Sequence, residues 1–171
     1  MRRVLISMLF VLLVAAALPA AEEDLAVRTK GGPTIEVKPD KALVYIVRPA
    51  KMGMAIRIWA FADEAVLGMT KGRTFTHAYV EPGTHVFWAR AENVSTVEYT
   101  VEAGQTYYFK QKVKIGGFKA RVGAEFLSED EGLKALKKCG KHSVLTEAGK
   151  ARGAEIVVEK YSTAKEKAAG G

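Results

Sequence analysis

The chain has 171 residues, a net charge of +7 and 49% hydrophobic residues, which fits one globular domain and leaves too little chain for two. A single cysteine, Cys139, excludes an intramolecular disulfide, so the fold depends on core packing even in an oxidising compartment. The modest positive balance suits contact with an anionic envelope surface, although the same balance is common in proteins that bind nothing charged.

The first twenty residues have the features of a secretory signal peptide. Two arginines follow Met1, residues 4–14 are apolar except for Ser7, and residues 15–21 are mostly small. We therefore predict export to the periplasm or the extracellular space, with cleavage after Ala20. The mature chain then keeps 151 residues and, without the two arginines, a net charge of +5.

A retained N-terminal anchor is the alternative, because residues 4–21 approach the length that spans a bilayer. No cysteine follows the small residues, so a lipid anchor on an N-terminal cysteine is excluded. No other apolar stretch is long enough to cross a membrane, so after cleavage we expect a protein that is not integral to the membrane.

The segment after the signal peptide, residues 21–33, is polar and ends in Lys-Gly-Gly-Pro, which predicts a flexible lead-in. From residue 34 onward apolar residues recur with a period of two, which is typical of strands. Turns are predicted at Asp63-Glu64, Lys71-Gly72 and Pro82-Gly83. The clearest predicted strands before residue 95 are Ala42 to Arg48, Ala55 to Ala62, Thr74 to Val80 and His85 to Arg90.

Residues 97–115 predict a β-hairpin, because apolar and polar residues alternate on both sides of a turn at residues 103–105. With a three-residue loop the two apolar sets share one face, and Tyr99 lies opposite Phe109 as a buried neighbour. The same register places Glu98 opposite Lys110 on the outer face, which is a favourable cross-strand pair.

The hydrophobic period changes after one more predicted strand. Ser128 and Glu131 form a capping box, and Gly140 is a natural stop, so a short helix is predicted near residues 129–139. Residues 141–171 have few apolar residues and end in a Lys/Ala/Gly-rich sequence, which predicts a weakly structured tail. These elements together predict a mainly β protein: an antiparallel β-sandwich of about seven to nine strands over residues 34–140, with one short C-terminal α-helix.

Three strand-and-turn segments resemble an exported bacterial family called domain of unknown function 2846. They are residues 42–49 (ALVYIVRP), 79–85 (YVEPGTH) and 101–108 (VEAGQTYY). The resemblance covers about residues 40–140 and carries no catalytic signature. It implies a small envelope β-sandwich, similar to modules that decorate surface proteins. Many family members look like lipoproteins, whereas this chain lacks the corresponding cysteine.

The sequence contains no motif for catalysis, for metal binding or for a cofactor. Cys139 and His142 are too few ligands for a closed zinc site, and the histidines lack metal-type spacing. His77 and His85 flank the Pro82-Gly83 turn on strands expected to be adjacent, where strand packing explains them. An enzyme would be favoured if either histidine shared a concave pocket with a carboxylate within about 3 Å.

The candidate ligand-binding residues are Trp59, His77, Trp88 and Tyr108, since exposed aromatic rings can stack on a sugar. Exposure of the three large aromatic side chains on one face would favour glycan binding, and their burial would exclude it.

We therefore predict an exported, non-catalytic envelope module for structural support or protein–protein contact. A ligand- or glycan-binding sandwich is the alternative. The partner is an unknown envelope protein or a glycan. We predict no nucleic-acid binding, because the chain is exported and acidic residues partly match its basic ladder, Lys110, Lys112 and Lys114.

Overall fold

The computed structural model describes residues 24–116 and 119–170, so the predicted signal peptide lies outside the described residues. Within them the chain forms ten strands and two helices, which confirms a mainly β fold and adds one strand and one helix to the predicted number. The elements are β1 (Ala26–Lys30), β2 (Ala42–Arg48), β3 (Ile58–Ala62), β4 (Ala65–Thr70), β5 (Thr74–Val80), β6 (Gly83–Arg90), β7 (Val94–Val101), β8 (Thr106–Gly116), β9 (Lys119–Leu127), α1 (Glu129–Lys138), β10 (Lys141–Leu145) and α2 (Glu147–Ala169).

The strands form two sheets. The six-stranded sheet has the order β1-β10-β5-β2-β8-β9, and the four-stranded sheet has the order β4-β3-β6-β7. Most neighbours are antiparallel, but β2 runs parallel to β8, and β5 runs parallel to β10. Neither described helix is both long and apolar enough to cross a membrane.

The sheets pack face to face around a core built from alternate residues of the central strands. Val44 and Ile46 of β2 contribute to it, together with Phe87 of β6 and Phe109 of β8. All four side chains are fully buried. Because side chains of a strand alternate between its two faces, the residues between these positions point away from this core.

Helices cover those outer faces. Val47 of β2 packs in a cluster with Ala135 of α1 on the six-stranded sheet. Trp59 of β3 and Trp88 of β6 pack in a cluster with Ile156 of α2 on the four-stranded sheet. The protein therefore has four layers, helix, sheet, sheet and helix, and its central strands are apolar on both faces.

The predicted hairpin between β7 and β8 is wrong. β7 pairs with β6 in the four-stranded sheet, whereas β8 pairs with β2 and β9 in the other sheet. Gly104 donates its amide proton to the carbonyl of Lys41, which draws the connection toward β2. Tyr99 is 37% exposed and stacks on Phe126 of β9, and Phe109 approaches the same ring from the core.

The charge pairing in that prediction is also wrong. Lys110 lies opposite Glu125 of β9, and its Nζ is 3.0 Å from the Glu125 carboxylate. Lys112 binds the other oxygen of the same carboxylate at 2.6 Å. Because β8 and β9 are the true antiparallel neighbours, the acidic partner comes from the strand that follows and not from the one that precedes.

The predictions of a flexible lead-in (residues 21–33) and a weakly structured tail (residues 141–171) are also wrong over most of their described residues. β1 forms an edge strand that pairs with β10, and α2 continues to Ala169. The sequence pattern does not reveal β1 or β10, because each strand is short and its partner lies near the other end of the chain. The predicted helix near residues 129–139 is confirmed as α1, and the carboxylate of Glu131 accepts a hydrogen bond from the amide of Ser128 at 3.4 Å.

Candidate functional site

The aromatic residues predicted to bind a ligand do not form a surface. Trp59 and Trp88 are buried beneath α2, and Tyr108 is buried on the α1 side of the other sheet. The burial removes the exposed stacking platform that glycan binding was predicted to use. The sequence left the exposure of these rings open, because α2 was not predicted and α1 was not assigned to the face that carries Tyr108.

His77 pairs with His142 and not with His85, which lies in the opposite sheet. The Nδ1 atom of His77 is 3.1 Å from Nε2 of His142 on β10. Burial, and then the charge of His142, lower the pKa of His77, and burial lowers the pKa of His142. Two neutral imidazoles joined by one hydrogen bond explain the arrangement. In the described part of the chain no group of three or more metal-ligating side chains is found.

Cys139 is separate from this pair. Its thiol is buried at the end of α1 and donates a hydrogen bond to the carbonyl of Ala135 at 3.4 Å. Burial raises the pKa of Cys139 to about 11. Because the thiolate is the reactive form, this cysteine is poorly suited to redox or nucleophilic chemistry.

His85 meets the distance criterion for an enzyme, because its Nδ1 lies 2.6 Å from a carboxylate oxygen of Asp63 beside a cavity of about 380 Å³. Its other ring nitrogen, Nε2, lies 2.8 Å from the carbonyl oxygen of Glu81. Both oxygens accept protons only, so the charged imidazolium satisfies both contacts. Burial opposes that charge, but the hydrogen bonds to Asp63 and Glu81 raise the pKa of His85 above its usual value.

A different cleft, which sequence reasoning missed, has the clearest chemical character. It encloses about 510 Å³, and five basic residues line it together with Met54, Gly72, Thr74 and Gly140. None of its lining residues is acidic. We call it the basic cleft, and its basic residues are Arg28, Lys30, Lys71, Arg73 and Lys141.

Three separate segments supply these charges. Arg28 and Lys30 are two positions apart on β1 and therefore project from the same face of that strand. Lys141 begins β10 and lies opposite Lys30 in the antiparallel register. Lys71 and Arg73 belong to the turn between β4 and β5, next to Thr74, which is the register partner of Lys141. The pairing of β10 between β1 and β5 therefore assembles the cleft.

Backbone hydrogen bonds hold the cleft together. The amide of Gly140 donates to the carbonyl of Arg73 at 3.0 Å, and the amide of Gly31 donates to the carbonyl of Gly140 at 3.2 Å. Arg73 also donates its amide proton to the carbonyl of Arg48 at 2.8 Å. The turn of residues 71–73, which we call the basic turn, is thus hydrogen-bonded to β2 on one side and to the α1–β10 connection on the other.

The electrostatics of the cleft favour an anion. Arg28 approaches the exposed carboxylate of Asp24 at 3.6 Å through Nη2, but its Nη1 is buried and has no hydrogen-bond partner among the described residues. Behind the cleft, the fully buried Arg48 donates to the carbonyl oxygens of Ile56 and Gly53, each at 2.6 Å. The largely exposed Asp24 offsets only part of the charge of Arg28, and the hydrogen bonds of Arg48 go to backbone carbonyls, so a bound anion relieves repulsion among the cations.

Comparisons with known proteins do not assign an activity. No family model matches the chain. The chain is similar to an uncharacterised protein of Haemophilus influenzae, with 28% identity over 96 residues. The similar region covers 56% of this chain and 57% of that protein. The resemblance to domain of unknown function 2846 therefore stays a prediction.

Proposed function

We propose that this chain is an exported, non-catalytic binding module of the cell envelope, and that its basic cleft binds an anionic group. The observation that carries the proposal is the lining of the cleft, with five basic side chains and no acidic one. Export by the predicted signal peptide and membership of the family named above belong to the same proposal.

The cleft chemistry favours phosphate or carboxylate groups. Guanidinium groups bind such oxygens through paired hydrogen bonds, and lysines add charge without fixed geometry. Arg28 itself keeps a buried Nη1 with no hydrogen-bond partner among the described residues, so its guanidinium group is only partly satisfied by the protein. An exported protein meets phosphates and carboxylates on envelope components, so we propose an envelope component and not a nucleic acid as the ligand.

The absence of catalysis is part of the proposal, and the contacts of His85 support it. A general base needs a ring nitrogen that is free to accept a proton. Both nitrogens of His85 face oxygen acceptors, on Asp63 and on Glu81. Among the described residues no hydroxyl or thiol is hydrogen-bonded to His85. The pair with Asp63 therefore serves as a structural contact that links β6 to the β3–β4 turn.

Titration with inorganic pyrophosphate by calorimetry tests anion binding. We expect saturable binding that weakens as salt is added. The double variant Lys30→Gln/Lys141→Gln is expected to bind about tenfold more weakly, because two charge-assisted contacts are lost. The matched control is Lys134→Gln/Lys165→Gln, which removes two exposed charges from α1 and α2. Equal losses in both double variants, or no saturable binding by the unaltered protein, would contradict the proposal.

Export is tested separately by N-terminal sequencing and intact-mass measurement of the protein from an envelope fraction. The expected chain begins at Ala21. A chain that keeps Met1 would convert the proposal to a protein held by an N-terminal anchor.

A further inference from the structure

A loop beside the basic cleft exposes two large apolar side chains. Residues 49–57, which we call the methionine loop, connect β2 to β3. In this loop Met52 is 53% exposed and Met54 is 57% exposed. Met54 also lines the basic cleft, so the apolar loop and the cationic lining are continuous. Exposed apolar side chains next to a charged site point to an interaction surface.

The methionine loop is held in place from below. Arg48 donates hydrogen bonds to the carbonyl oxygens of Met52 at 3.1 Å and of Gly53 and Ile56 at 2.6 Å. The carbonyl of Met54 accepts a hydrogen bond from the amide of Gly72, in the basic turn, at 3.1 Å. The loop therefore presents both methionines from a defined backbone, at a fixed place beside the cations.

The charges within the loop are of one sign. Lys51 is exposed between the buried end of β2 and Met52, and the sequence contains no acidic residue from Lys41 to Ala62. A free anion would need only the cations of the cleft and would leave Met52 in water. A surface that carries negative charge above an apolar interior would use the cations and the methionines together.

We propose that the basic cleft and the methionine loop form a docking surface for an anionic phospholipid bilayer. The inference rests on the proposed anion binding and names the anion as the lipid phosphate. The lysines and arginines contact phosphate groups of the membrane surface, while Met52 and Met54 enter the headgroup region. Cationic attraction and shallow apolar insertion each add to the affinity, so neither set of residues suffices by itself.

Vesicle co-sedimentation tests the docking surface. Vesicles of equal parts phosphatidylglycerol and phosphatidylcholine should bind the protein, and vesicles of phosphatidylcholine alone should bind it at least about tenfold more weakly. Met52→Gln should weaken binding to the anionic vesicles about fivefold, because a side chain that inserts becomes polar. The matched control is Val158→Gln on α2, which alters a residue that is 88% exposed on the outer helix and should leave vesicle binding unchanged.

The same proteins titrated with inorganic pyrophosphate separate this inference from the proposed function. Met52 does not line the cleft, so Met52→Gln should bind pyrophosphate as the unaltered protein does. Pyrophosphate binding without preference for anionic vesicles would overturn the docking surface and leave the proposed function standing, with a soluble anion or an acidic protein as the ligand. Equal effects of Met52→Gln and Val158→Gln would also overturn it. Failure to bind either probe would overturn both. All variants begin at the same residue, so any contribution of residues 1–20 to vesicle binding is the same in each and does not affect the comparison.

Discussion

Nδ1 of His77 and Nε2 of His142 lie 3.1 Å apart, although 65 positions separate the two residues in the chain. The bond links β5 to β10, the strand that completes the basic cleft. Both rings are neutral at pH 7, because burial, and for His77 also the charge of its partner, lower their pKa values. One ring therefore donates its N–H proton to the lone pair of the other.

This pair should make the protein less stable in mild acid. A histidine whose pKa is lowered by folding takes up its proton more readily in the unfolded chain. Its contribution to stability is complete above the unfolded pKa of 6.5 and is lost as the pH falls through that value toward the lower folded-state pKa. In urea unfolding at about pH 7.5 and about pH 5.5, His77→Gln should lose less stability on acidification than the unaltered protein does.

His85 provides the control for that experiment, because its pKa is raised by folding and its effect has the opposite sign. Its contribution is complete below the unfolded pKa and is lost as the pH rises through the higher folded-state value. His85→Gln should therefore lose more stability on acidification than the unaltered protein. If the two variants changed the pH dependence in the same direction, the assigned protonation states would be wrong.

The central core predicts a large difference between two aromatic residues. Phe109 is fully buried against Phe87 and Phe126, so Phe109→Ala should lower the free energy of unfolding by about 3–5 kcal/mol. Tyr99→Ala should cost less, because the Tyr99 ring is partly exposed. Lys112→Ala should cost less than about 1 kcal/mol, as expected of a half-exposed ion pair. Chemical denaturation measures all three, and the reverse order would contradict the sheet assignment.

Packing of α2 is tested by two residues of that helix. Ile156 is fully buried in the cluster with Trp59 and Trp88, so Ile156→Ala should destabilise the protein by about 2–5 kcal/mol. Val158, two positions on, is exposed, and Val158→Ala should change stability by less than about 0.5 kcal/mol. Thermal or urea unfolding compares the two. Equal, small effects would mean that residues 147–169 do not pack on the sheet.

Close approach of α1 to the six-stranded sheet depends on Gly132. A methyl group at this position would lie 2.1 Å from Cγ of Tyr108. Alanine is ordinarily favoured over glycine in a helix by about 1 kcal/mol, but here Gly132→Ala should destabilise by about 1–3 kcal/mol, because the helix must move. Gly140→Ala, where a methyl group would meet no atom within 4 Å, is the control and should be nearly neutral in a denaturation experiment.

Local signals in the sequence were sufficient for several elements. The dense apolar run of β2, the turn between β3 and β4, and the helix α1 were predicted within a few residues of their observed bounds. Each depends on interactions between neighbours in the chain: a period of two, turn residues, or a capping box. The mainly β class follows from the same signals, because they recur through most of the domain.

Those local signals did not determine which strands pair with each other. The alternating pattern of β7 and β8 is compatible with a hairpin. The strand pairing shows that the chain changes sheets here, and Leu43 of β2 donates its amide proton to the carbonyl of Gln105. The register of Tyr99 and Phe109 was wrong for that reason. The burial of Trp59, Trp88 and Tyr108 could not be predicted, because it depends on helices that pack from other parts of the chain.

The basic cleft shows most clearly what the tertiary structure decided. Its cations come from residues 28–30, residues 71–73 and Lys141, which lie far apart in the sequence. They meet because β10 pairs with β1, which is more than a hundred residues away in the chain, and with β5, which is 67 residues away. The sequence by itself determined the residue types and the local strands. The concentration of like charge in one cleft arises only when core packing brings those strands together.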